Sequence, residues 1–132
     1  MLRFLSIRSV TIGIGLAALG AFAAVSWGDE RDRICRPGYA HAQRLGADAW
    51  LRLRQQAFAR AGVSFPARHA DYETDHIVPL CLGGTNDLDN LQLQPWAIAR
   101  VKDVYEAETC RAYCAGRVTL DAARNRFHRT SP

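Results

Sequence analysis

The stretch Tyr72-Glu73-Thr74-Asp75-His76-Ile77-Val78-Pro79-Leu80-Cys81-Leu82-Gly83-Gly84-Thr85-Asn86-Asp87-Leu88-Asp89-Asn90 decides how this chain is read. The adjacent pair Asp75-His76 lies in a β-prone run, Tyr72 to Val78. A loop turning at Gly83-Gly84 follows, and Asn90 opens a second apolar run, Leu91 to Gln94. This is the pattern of two short strands joined by a broad hairpin loop. An acid beside an imidazole, facing an amide across such a hairpin, can hold a divalent metal and activate a water against a phosphodiester. An isolated Asp-His pair would read only as a hairpin closure; the Gly-Gly turn and Asn90 at these distances argue for chemistry.

Working outward, Pro95 suits the first turn of a helix, where its missing N–H costs nothing. That helix is predicted from about Trp96 to Ala115, with Ile98, Val101, Tyr105 and Ala112 on its apolar stripe and Gly116 ending it. Thr119 is placed to cap a last helix, with Asp121 at the favourable end of the dipole and Leu120, Ala123 and Phe127 facing inward. Upstream, Ala47, Trp50, Leu51, Ala57, Phe58 and Ala61 follow helical spacing, and Gly62 suits the end of that helix. Trp50 is expected in the core, with Arg52, Gln55, Gln56 and Arg60 outward. Ser64 to Ala70 reads as a loop, and Pro37-Gly38 as a turn.

The 132 residues allow one domain. Met1–Ser26 has a basic start (Arg3, Arg8), an apolar stretch from Val10 to Val25 and no acid, and Ala24-Val25-Ser26 fits a small-x-small cleavage site. It reads as a signal peptide; the alternative is an uncleaved membrane anchor, the one route to a membrane association, although the stretch falls short of the usual span of about 20 apolar residues. Residues 27–33 are expected to form a charged tether and residues 34–132 the folded domain. The protein is therefore expected to be exported, periplasmic or secreted. Loss of Met1–Ser26 lowers the formal charge from +4 to +2, enough for touching a few phosphates but too little to coat nucleic acid by charge alone.

Cys35, Cys81, Cys110 and Cys114 all follow that segment, and an even count in an exported domain of this size reads as two disulfides. Three pairings are possible. Cys110 and Cys114 sit one helical turn apart and would pair poorly with each other. Cys35–Cys114 with Cys81–Cys110 is the preferred arrangement. A four-cysteine zinc site is disfavoured, because the paired C-x2-C knuckles are missing.

D-H-I-V-P-L, the Gly-Gly turn and the N-L-Q-L beginning fourteen residues after the histidine resemble the HNH endonuclease motif. The wider pattern of I-C-R-P-G-Y, K-D-x-x-E and a late C-A-G is similar to small exported bacterial HNH-like proteins. The resemblance implies an α+β fold, a ββα-metal (His-Me finger) core with flanking helices. It also implies Asp75 as a metal ligand, His76 as the general base, and Asn90 as the amide that steadies the histidine and its loop and adds to the metal site. One departure stands out. Nine residues past Asn90, where many HNH proteins carry a last His or Asn, stands Ala99, which cannot bind a metal. Asp103, one helical turn further on, is the candidate replacement ligand, with Glu106 behind it. The plainer reading is that Lys102, Asp103 and Glu106 form a solvated salt-bridge face.

Oxygen-rich ligands would favour Mg²⁺ or Mn²⁺, with Zn²⁺ or Ni²⁺ possible. Arg100 and Lys102 are the candidates for contact with the substrate backbone, positioning nucleic acid (DNA, with RNA possible) without reading its sequence. His41, His69 and His128 have no comparable context and are expected at the surface. No partner protein is visible in the sequence. Two other readings remain open: an inactive HNH-like module binding nucleic acid or protein in the cell envelope, and a disulfide-stapled envelope protein in which the D-H…N element is structural only.

Overall fold

The computed structural model describes residues 27–127; the signal-peptide reading of Met1–Ser26 and the expectation for His128 lie outside them. The fold is mixed α+β, with helices α1 (Trp27–Cys35), α2 (Tyr39–Ala42) and α3 (Ala47–Arg60) preceding strand β1 (Tyr72–His76). Strand β2 (Leu91–Pro95), helix α4 (Trp96–Cys114) and helix α5 (Leu120–Arg124) complete it. The strands form one antiparallel pair, with Asp75 opposite Gln92 and His76 opposite Leu91. Their connection contains two single 3₁₀ turns, Leu80–Leu82 and Leu88–Asn90.

The loop between the strands depends on Gly84. A Cβ there would lie 1.9 Å from the Val78 carbonyl oxygen, closer than any side chain allows. Gly83 sits at φ 73°, the left-handed region that glycine enters without a steric penalty. Backbone bonds from Gly83 to Leu80 and from Gly84 to Pro79 close the turn.

Two apolar clusters hold the layers together. Ala57, Phe58 and Leu93 are buried between α3 and β2, with Phe65 and Tyr72 edge-on to Phe58. Burying a side chain like Phe58 contributes roughly 2–3 kcal/mol. The second cluster joins Ile34, Tyr39, Leu82, Tyr113, Leu120, Ala123 and Phe127, packed around the disulfides Cys35–Cys114 and Cys81–Cys110. These bridges tie α1 and the hairpin loop to one end of α4, and two disulfides suit a non-reducing environment. Among the described residues, no helix is long and apolar enough to cross a membrane. Thr119 caps α5 by accepting the Ala122 N–H, as its position in the sequence suggests.

Three expectations change. The supposed tether at 27–33 is part of α1, ordered by the Arg33–Glu30 ion pair at 2.7 Å and by the Arg31 and Arg33 guanidinium groups over Tyr113 and Tyr39. Helix α4 is rotated relative to its apolar stripe: Ile98, Val101 and Tyr105 are exposed, while Ala99, Thr109 and Tyr113 are buried. The physical reason lies at both ends of that inner face, where Lys102 pairs with Asp75 and Cys110 with Cys81. Arg60 is exposed, as expected, while its guanidinium also donates to the Leu91 carbonyl and ties α3 to β2. Trp50 and Leu51 leave the core as well, Trp50 half-buried and Leu51 exposed.

Candidate active-site cleft

Side chains alternate along β1, so Tyr72, Thr74 and His76 share one face and Glu73 and Asp75 the other. Helix α3 meets the first face through Phe58 against Tyr72 and Trp50 against His76. Helix α4 meets the second through Lys102. At the end of β1 both faces open into one cleft of about 650 Å³, lined by Arg44, Trp50, Asp75, His76, Asn86 and Asp103 among others.

His76 is oriented from two sides. The Trp50 indole lies over its imidazole with centroids 5.7 Å apart and planes 22° from parallel. Nε2 lies 2.9 Å from Asn86 Oδ1, while Asn86 Nδ2 donates to the Gln43 carbonyl at 2.7 Å. A carbonyl can only accept, so Gln43 sets which way the Asn86 amide faces and leaves its oxygen toward the ring. In the neutral imidazole Nε2 therefore carries the proton, and Nδ1 keeps a free lone pair. That is the arrangement a general base needs.

Asp75 is held differently. Its Oδ1 accepts the His76 backbone N–H at 2.8 Å, and its Oδ2 lies 2.7 Å from Lys102 Nζ. The same ammonium donates to Glu106 Oε1 at 2.8 Å. Lys102 and Asp75 side chains are only 10% and 13% exposed, so this ion pair is largely out of water. Burial pushes the Glu106 carboxyl above the usual carboxylate range; Lys102 opposes the rise, and Asp75 and Asp103 add to it. Burial raises Glu73 in the same sense, with Asp103 and Asp75 as negative neighbours.

The donors present do not fit the divalent ion that the resemblance implies. Asp75 Oδ2 is buried and takes no hydrogen bond among the described residues, but the Lys102 ammonium already stands 2.7 Å from it. The Asn90 amide is engaged within the hairpin loop. Its Oδ1 accepts from Val78 N at 2.9 Å, and its Nδ2 donates to the Val78 and Thr85 carbonyls. Asn90 thus ties the hairpin loop together, and among the described residues the hydrogen bond to the His76 ring comes from Asn86 instead. Asp103 lines the cleft but is exposed, and Ala99 is buried at 1% exposure, filling space against the sheet. Among the described residues no group of three His, Cys, Asp or Glu side chains is arranged to hold a metal ion.

Asp75, His76, Asp103 and Glu106 all line this cleft. Lys102 is internal, and Arg100 is exposed on α4 outside the cleft lining. Arg44 is the arginine that lines the cleft. Sequence reasoning missed Arg44, Trp50, Glu73 and Asn86. Asn86 carried a faint signal, an amide in the loop after the Gly-Gly turn, but Trp50 on α3 and Arg44 in the connection before it are distant in the chain and carry no local mark. Comparisons with protein-family models, with curated proteins and with solved structures find no match for this chain.

Proposed function

We propose that the protein is an exported HNH-type endonuclease, hydrolysing nucleic-acid phosphodiester bonds with little sequence specificity. The strand–loop–strand–helix unit from Tyr72 to Cys114 then serves as the ββα core. The observation that carries the reading is the orientation of His76: an imidazole at the cleft wall, held by Asn86 at one nitrogen and by Trp50 over its face, with no hydrogen bond to the other nitrogen among the described residues.

In the reaction, Nδ1 of His76 takes a proton from water. The water oxygen forms the new bond to phosphorus, and the bond from phosphorus to the leaving sugar oxygen breaks. That oxygen takes its proton from solvent. Arg44 at the cleft supplies positive charge for a phosphate oxygen, and Asn90 keeps the loop, and so Asn86, in place. Positioned general-base catalysis of this kind contributes roughly 10²–10⁴-fold.

A second reading has its own support. Glu73, Asp75, Asp103 and Glu106 outnumber Lys102 and Arg44 around the cleft, a field that repels phosphate. An inactive module on this frame would favour a basic protein segment over nucleic acid. Plasmid nicking by the oxidised protein and its His76→Ala variant decides between them. Nicking lost in a folded variant supports the endonuclease; no nicking by the folded wild-type protein with EDTA, Mg²⁺ or Mn²⁺ removes it.

A further inference from the structure

We propose that the Lys102 ammonium is a resident cation behind Asp75 at the wall of this cleft and that it excludes divalent metal from Asp75. The inference deepens the hydrolytic reading and rests on it for the meaning of the cation, although ion binding itself is measured without substrate.

Three observations converge. Lys102 Nζ lies 2.7 Å from Asp75 Oδ2 and 2.8 Å from Glu106 Oε1, at once bridging the strand and its own helix. Its side chain is 10% exposed, so a metal ion reaching Asp75 must first move a buried ammonium rather than surface water. The position a metal-binding residue would fill, Ala99, is buried and filled by a methyl group. The ammonium donates to Glu106 Oε1, and it meets Asp75 Oδ2 as a compact point charge at 2.7 Å rather than through a well-directed hydrogen bond. Helix α4 gives it a fixed approach, because Glu106 stands one turn beyond Lys102 and holds it at the i,i+4 spacing. The carboxylates alone would be a poorly compensated buried cluster. With Lys102 between them, Asp75 and Glu106 face a cation already in place.

The test is Mn²⁺ binding to the intact, oxidised protein by calorimetry, for wild type, Lys102→Met, Lys102→Gln, Asp75→Asn and Lys102→Met with Asp75→Asn. Removing the ammonium is expected to tighten Mn²⁺ binding by about tenfold or more, and adding Asp75→Asn to abolish the gain. Wild-type binding as tight as that of a folded Lys102 variant, and lost with Asp75→Asn alone, would overturn the proposal. So would folded Lys102 variants that bind no better than wild type. Should neither variant fold, the side-chain ammonium signal of Lys102 in ¹⁵N-labelled wild type serves instead. It is expected to persist unshifted in millimolar Mg²⁺, and its displacement by Mg²⁺ counts against the proposal. Nicking assays on the same preparations keep the two readings apart. A protein that excludes Mn²⁺ and never nicks loses the nuclease reading but keeps the role of Lys102. One that nicks only with Mn²⁺ bound at Asp75 does the reverse.

Discussion

The Trp50 indole and the His76 imidazole lie nearly parallel, 22° apart with centroids separated by 5.7 Å, although the two residues belong to a helix and a strand with a long loop between them. The contact transfers the position of α3 to the orientation of the proposed base. Aromatic pairs of this kind contribute about 0.5–1.5 kcal/mol beyond burial. Trp50→Ala is therefore expected to slow nicking about 2- to 10-fold. Independently of activity, the His76 ring protons are expected to move downfield in NMR spectra as the indole ring current disappears. Unmoved resonances would show that the two rings do not meet in solution.

Asn86 sets the tautomer. Asn86→Ala removes the acceptor at Nε2 and leaves both ring nitrogens able to carry the proton. Nicking is expected to fall by about tenfold or more, a share of the general-base factor, with little change in thermal stability. Long-range ¹⁵N couplings of the imidazole report the tautomer directly. A single Nε2–H form persisting in the variant would remove Asn86 from this role.

Gly84 is a steric requirement of the loop. Gly84→Ala places a methyl 1.9 Å from the Val78 oxygen, so backbone must move along with the Asn90 bonds on either side. The cost is expected to be about 3 kcal/mol, which lowers Tm by on the order of 10–20 °C in a domain of this size. Calorimetric melting checks it; a Tm within two degrees of wild type would contradict the close approach.

Burial gives Glu106 a pH signature. Its carboxyl is raised in the folded protein above the ordinary value of 4.5, so the folded state holds that proton more tightly than the unfolded chain. The stability this contributes is fully present below about pH 4.5 and is lost as pH rises through the folded value. Wild type is therefore expected to gain Tm relative to Glu106→Gln as pH falls toward 4.5, and the difference should level off above the folded value. A difference growing with rising pH would reverse the sign and place Lys102, rather than burial, in control.

Local order was enough to define the hairpin, the helix that follows it and the Thr119 cap, because each is written in neighbouring residues: Gly83-Gly84, Pro95, and Thr119 followed by Asp121. The same local reading placed Asp75, His76 and Asn90 at one end of two strands and preferred the cysteine pairing that the structure contains. What it could not supply was the rotation of α4. Apolar periodicity put Ile98, Val101 and Tyr105 inside, yet the cross-links at Cys110 and Cys114 and the ion pair from Lys102 turn a more polar face inward. Side-chain pattern fixes which faces of an element differ, whereas bonds to distant residues choose which face is buried. For the same reason only the tertiary structure decided that Lys102, not Asp103, meets Asp75, and that Trp50, Asn86 and Gln43 hold His76. Those contacts join segments far apart in the chain, and no spacing within one segment records them.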